Sequence, residues 1–253
     1  MPLGNAYTTI SLSVSNISLS LSANPKYASP GDTVTFTVTE TVDGNPASGR
    51  SIRVQISPDG VNWYDVCTAT TGSDGKGTCT WTVDWYVSGV KLPCRYIKAR
   101  AVDPMWFVVS SPIDMAIYYR TKFSEAYTDK PRYAPGETVT VTARLVYTDD
   151  TGDKPVVGKT VTFTLKDSTG TIIDSKQVTT DSYGYAKAQF TAPSKSGNYT
   201  IDVYFGGATS LGAELSPASV FTGLSVSEPV ATAVKLAVLA GLGYLMYRLL
   251  LRG

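Results

Sequence analysis

Three cysteines, a cluster of aspartates and two Asn-x-Ser/Thr triplets are the residues of this chain whose types and spacing could carry chemistry, and histidine does not occur at all. Its absence rules out a Ser-His-Asp triad and removes both the commonest general base and the commonest transition-metal ligand. No phosphate-cradling glycine loop and no nucleophile-elbow glycine pattern is present. The expectation is therefore no enzyme and no cofactor. Cys67, Cys79 and Cys94 lack metal-ligand spacing, so at most one disulfide forms within the chain. In "GTCTWTVD" alternation puts Cys79 on the face of Trp81, and the internal repeat described below sets Cys67 on Lys176. This predicts that Cys67 and Cys79 are not bridged and leaves the redox compartment open. Asp149, Asp150 and Asp153 in "YTDDTGDKP" form an oxygen cluster of the kind that suits calcium, but without EF-hand spacing. Polar hairpin tips have this composition for turn reasons, so a solvated loop without metal is expected. Asn16-Ile-Ser18 and Asn198-Tyr-Thr200 are acceptors for N-glycosylation if the chain reaches a glycosylating compartment.

Two aromatic segments suit a contact surface. "DWYVSGVKLPC" carries Trp85 and Tyr86 on an insertion, and "DPMWFVV" carries Met105, Trp106 and Phe107. Aromatic residues are enriched in binding cores, so Trp85, Tyr86 and Trp106 are the candidate partner contacts. Nucleic acid is excluded as a partner by charge: 22 basic against 21 acidic residues give a formal net charge of +1, too little to neutralise phosphates.

These residues need elements to hold them, and a repeat supplies the plan. "NPKYASPGDTVTFTV" matches "KPRYAPGETVTVTA", and from Pro46 to Trp81 the chain matches itself without a gap: Pro46 falls on Pro155, Gly75 on Gly184 and Trp81 on Phe190. Tyr96 is set on Tyr199 after the insertion. Each copy is built of short period-2 runs such as "TVTFTV" between turns such as "SPDG" and "DSTG". About seven strands in roughly 105 residues is the size of an immunoglobulin-like sandwich. The fold class expected is all-β: two tandem Ig-like sandwiches plus one C-terminal transmembrane α-helix. The expected boundaries are an N-terminal strand segment at 1–16, sandwich 1 at 17–120, sandwich 2 at 121–227 and the helix at 228–253.

At "YTDKPRYAPGETVTV", "DSTGTII", "TTDSYGYAKAQFTAP" and "SGNYTIDVYF" the second copy resembles the second macroglobulin-type (MG2) domain of the alpha-macroglobulin family. More loosely, both copies resemble the Ig-like repeats of bacterial invasin-type adhesins. The resemblance implies a sandwich scaffold and no activity; the thioester Cys-Gly-Glu-Gln motif of macroglobulins is absent, so protease trapping is not implied.

The tail from Val230 to Leu251 is long enough to span a bilayer, which takes about 20 mostly apolar residues. Lys235, Arg248 and Arg252 suit snorkelling at its ends, Tyr244 and Tyr247 an interfacial belt. Ala237 and Gly241 continue a small-residue spacing from Ala233 that permits close helix approach, hence an expected homo-oligomer. The N-terminal "YTTISLSVSNISLSLS" alternates apolar and hydroxyl residues and reads as strand rather than as a secretory leader. Taken together, these features lead to a non-enzymatic membrane-anchored structural protein. The favoured expectation is a virion component (capsid, vertex or spike) of a membrane-containing archaeal virus, partnered by the lipid bilayer and by other subunits of the assembly. The alternative is a cell-surface adhesin or envelope-layer anchor.

Overall fold

The computed structural model describes residues 15–210 and 213–227, and among them there is no helix. The chain divides into two compact units: residues up to 119 together with 209–214, and residues 120–208 together with 215 onward. Each has seven main strands. In the first these are β1 (Ile17–Asn24), β2 (Thr33–Val42), β3 (Ser51–Ser57), β4 (Tyr64–Thr70), β5 (Lys76–Thr82), β6 (Tyr96–Asp103) and β7 (Ile113–Tyr119). In the second they are β8 (Thr121–Thr128), β9 (Thr138–Asp149), β10 (Thr160–Lys166), β11 (Ile172–Thr179), β12 (Tyr185–Thr191), β13 (Gly197–Phe205) and β14 (Ala218–Val226).

The two units share one topology. In the first, β1-β2-β5 forms one sheet and β4-β3-β6-β7 the other; in the second, β8-β9-β12 faces β11-β10-β13-β14. Ala213–Leu215 extends the larger sheet of the first unit beyond β7, and the Glu214 N–H donates to the Cys94 carbonyl at 2.8 Å. Alternation along β2 buries Val34, Phe36 and Val38 and turns Thr33, Thr35 and Thr37 outward or half outward. Those side chains meet Ile52, Val54 and Ile56 of β3 and Ala99 and Ala101 of β6. Each fully buried aliphatic or aromatic side chain contributes about 1.5–3 kcal/mol relative to exposure. The second unit is filled by Val139, Val141 and Leu145 of β9, Phe163 and Leu165 of β10, Phe190 of β12, and Ile201 and Val203 of β13.

Gly75 and Gly184 lock the same corner in each unit. Both have positive φ, and a Cβ would lie 2.5 Å from the Glu40 carbonyl oxygen at Gly75 and 2.4 Å from that of Leu145 at Gly184. Only glycine combines that backbone conformation with that approach.

Two expectations are corrected. Cys67 and Cys79 are bridged, with Cα atoms 6.0 Å apart. Cys67 sits on β4, the edge of the larger sheet, and Cys79 on β5, the edge of the smaller one, and both are half-buried against the core. The equation of Cys67 with the solvated Lys176 failed because a sandwich edge gives a small side chain a partner in the opposite sheet, where a lysine reaches water. Pairing also moves the match in β6 by one residue. Ala101 lies opposite Val54 and Val203 opposite Phe163, so buried Tyr199 is answered by Ile97 while Tyr96 is 59% exposed. A one-residue slip exchanges the two faces of a strand.

Candidate contact surface

The sandwich separates the aromatic candidates. Trp85 and Tyr86 lie between β5 and β6, where Tyr86–Val87 pairs with Val90–Lys91 in a small hairpin. Trp85 is half-buried, its ring 5.9 Å from that of Tyr119, and packs against the core; Tyr86 is 46% exposed. Trp106 lies between β6 and β7, at the opposite end of the unit. The structure therefore does not join the two segments in one surface.

The loop of Trp106 is built on buried charge that the sequence reading did not single out. Glu40, the inward position after Val38 on β2, is fully buried, and neither carboxyl oxygen has a hydrogen-bond partner. Its ionic neighbour is Arg50, whose Nε lies 3.6 Å away. Arg50 is committed to Asp103, at the end of β6: Nη2 and Nε donate to Oδ2 at 2.5 and 3.1 Å. Asp103 Oδ1 in turn accepts the Met105 N–H at 2.8 Å. Outward, Arg50 Nη1 contacts Met105 Sδ at 2.9 Å, and the guanidinium lies 3.7 Å from the Trp106 ring centre. Burial pushes the Glu40 carboxyl up to about 7, helped by the neighbouring Asp103, while Arg50 pulls the other way. Burial is also the largest influence on Asp103, but hydrogen bonds from Arg50 and from the Met105 N–H outweigh it and hold Asp103 below the usual carboxylate range. Below pH 7 the charge thus rests on Asp103, balanced by Arg50, while Glu40 keeps its proton. The signal was legible: "TVTFTVTE" ends its buried series on a carboxylate where the second copy has Leu145.

The other candidates are placed as follows. Asn16 is exposed and its N–H donates to Asp43 Oδ1 at 2.8 Å; Asn198 is exposed on β13. Asp149 accepts from the N–H and the hydroxyl of Thr151, and Asp153 accepts from the Thr148 hydroxyl and pairs with Lys122 at 2.9 Å. The threonine contacts are turn chemistry, and Lys122 reaches Asp153 from β8. Lys235, Ala237, Gly241, Tyr244, Tyr247, Arg248 and Arg252 lie outside the described residues, and among the described residues no helix is long and apolar enough to cross a membrane.

With this geometry in view, one family matches part of the chain. Residues 125–216 match the MG2 domain. The matched segment runs from within β8 to just before β14 and so takes in strands β9 to β13 of the second unit. Among solved structures, the Escherichia coli adhesin FdeC is 15% identical, with 84% of this chain and 66% of that chain covered and a TM-score of 0.45. The Yersinia pseudotuberculosis adhesin InvE is 16% identical over 84% of this chain and 60% of that chain, TM-score 0.33. The native conformation of Escherichia coli alpha-2-macroglobulin is 13% identical over 84% of this chain and 14% of that chain, TM-score 0.34. The chain spans 50% of the tetra-tandem repeat from the extending region of a large adhesion protein. No curated protein matches it.

Proposed function

We propose that this chain is a non-enzymatic surface-attachment protein, exported from the cell, whose Ig-like units are displayed on the cell surface and held to the bilayer by the segment 228–253. The Cys67–Cys79 disulfide carries this reading. Disulfides form and persist in oxidising compartments, so a bridge at the edge of a sandwich supports export over assembly in the cytoplasm. It thereby favours the cell-surface alternative over a virion component assembled from the cytoplasmic side. The adhesin names of two structural neighbours accord with it without carrying it. Lys235, Arg248 and Arg252 at the ends of the anchor, with the small residues Ala237 and Gly241 between them, belong to the same proposal, as does self-association through that segment.

The test is made on the native source. A membrane-impermeant biotin reagent should label the chain on intact cells, and alkylation under denaturing, non-reducing conditions should modify Cys94 alone. Added glycan mass at Asn16 or Asn198 would sharpen the assignment to an exported protein. A chain shielded from the reagent, with three alkylatable thiols and recovered in virus particles, would overturn the proposal in favour of the virion.

A further inference from the structure

The loop joining β6 to β7 spends free energy to keep apolar side chains in water. Met105 is 70% exposed, Phe107 88% and Val109 47%, with Trp106 at 37% between them. Phe107 has a φ of 56°, in the left-handed region that a bulky side chain disfavours. The loop is nonetheless rigidly founded: Asp103 takes the Met105 N–H, and Arg50 is clamped between Asp103 and the Trp106 ring. Strain and exposed apolar surface on a pre-organised base point from structure to function.

We infer that Met105, Trp106 and Phe107 form a docking tip that inserts shallowly into the surface of a bilayer of neutral phospholipids. Side chains this exposed project from the surface and cannot enclose a small ligand. At these exposures the four residues offer on the order of 400 Å² of surface, against about 800 Å² per partner in a standard protein interface. That area suits insertion of a few side chains into a fluid better than a rigid protein contact. A tryptophan flanked by methionine and phenylalanine is interfacial chemistry. Arg50, the cation at the base, is already neutralised by Asp103, so the tip asks for no anionic headgroup. β7 runs away from this loop, so the point where the chain first leaves the unit, after Tyr119, is at the other end of β7 from the tip. The inference rests on the surface-attachment reading and names its target as a lipid surface.

The experiment uses the full chain with an environment-sensitive fluorophore at Phe107→Cys, or at Thr33→Cys at the opposite end of the same unit, reconstituted into phosphatidylcholine vesicles. Cys94 is 3% exposed and stays unlabelled. Protein-free vesicles carrying brominated phosphatidylcholine are then added. The probe at position 107 should shift to the blue and be quenched, the probe at 33 should not, and raising the salt should leave the response intact. Phe107→Ser should weaken vesicle bridging roughly tenfold, as loss of one inserted aromatic side chain implies. Its side chain is almost fully in water, so the fold should be untouched, which circular dichroism checks. No quenching at 107, equal quenching at both positions, or bridging indifferent to Phe107→Ser would overturn the inference. Cross-linking from position 107 to a protein on target cells, without a lipid response, would assign the tip to a protein partner and overturn it equally. Biotinylation of intact cells reports on display independently of the vesicles, so the two readings fail separately.

Discussion

At one end of each sandwich the same backbone frame holds opposite contents. Glu40 and Leu145 occupy one position: their N–H groups donate to Gly75 and Gly184 at 2.9 and 2.8 Å, and their carbonyls accept from Ala47 and Val156 at 3.0 Å. Arg50 and Lys159 likewise share a position, each N–H donating to a threonine hydroxyl, Thr71 at 2.9 Å and Thr180 at 3.0 Å. Two residues beyond the paired Ala101 and Val203 come Asp103 and Phe205, both buried. The second unit thus closes this end with Leu145 and Phe205, the first with two carboxyls and a guanidinium. An apolar plug needs no partners. A buried ionic group costs desolvation that its own attraction roughly repays, so the first unit's version is better explained by what it positions, the Met105–Phe107 loop, than by stability.

That contrast can be broken most severely at Arg50. Arg50→Ala leaves Asp103 ionised and buried without its cation and should cost the first unit about 3–5 kcal/mol. Denaturant unfolding would show it, and Lys159→Ala, at the matching position of the second unit, should cost far less. Next comes the disulfide, which only the first unit has. Replacing Cys67 and Cys79 by serine opens a short loop and should lower stability by about 3 kcal/mol, read as a drop in the denaturant midpoint that a reducing agent reproduces in the parent protein.

Where the units agree, the effects should agree. Gly75→Ala and Gly184→Ala each force a Cβ into a carbonyl oxygen at positive φ, and each should destabilise its own unit by about 2 kcal/mol, the scale of left-handed strain plus a clash. Unequal losses would mean that the two corners are not equivalent. The smallest effect is a slope with pH. Glu40 has a folded-state value of about 7 against an ordinary 4.5, so the folded state holds the proton more tightly. Its contribution is complete below about pH 4.5 and is lost as pH rises through 7, with a slope of at most about 1.4 kcal/mol per pH unit. Glu40→Leu, which imports the second unit's residue, should flatten that slope in urea titrations between pH 4.5 and 8, while Leu145→Val should leave it unchanged.

Much of this was readable from the chain. The inward series Val34, Phe36, Val38 and the outward threonines follow from period-2 alternation, and the match of Gly75 with Gly184 followed from the ungapped repeat. The placement of Trp81 in the core followed from the same pattern. What misled was the same repeat taken as an equivalence of environments. It set Cys67 on a lysine and Tyr96 on Tyr199, yet Cys67 is bridged and Tyr96 is exposed.

By itself the sequence determined the class of the fold, the number of sandwiches and the lack of histidine chemistry, because alternation, turn residues and composition are local properties of the chain. Only the tertiary structure decided that Cys67 meets Cys79 across the sheets, that Glu40, Arg50 and Asp103 converge, and that Trp85 and Trp106 stand at opposite ends. Each of those depends on which strands lie beside or across from one another, and no spacing along the chain encodes a distance between sheets.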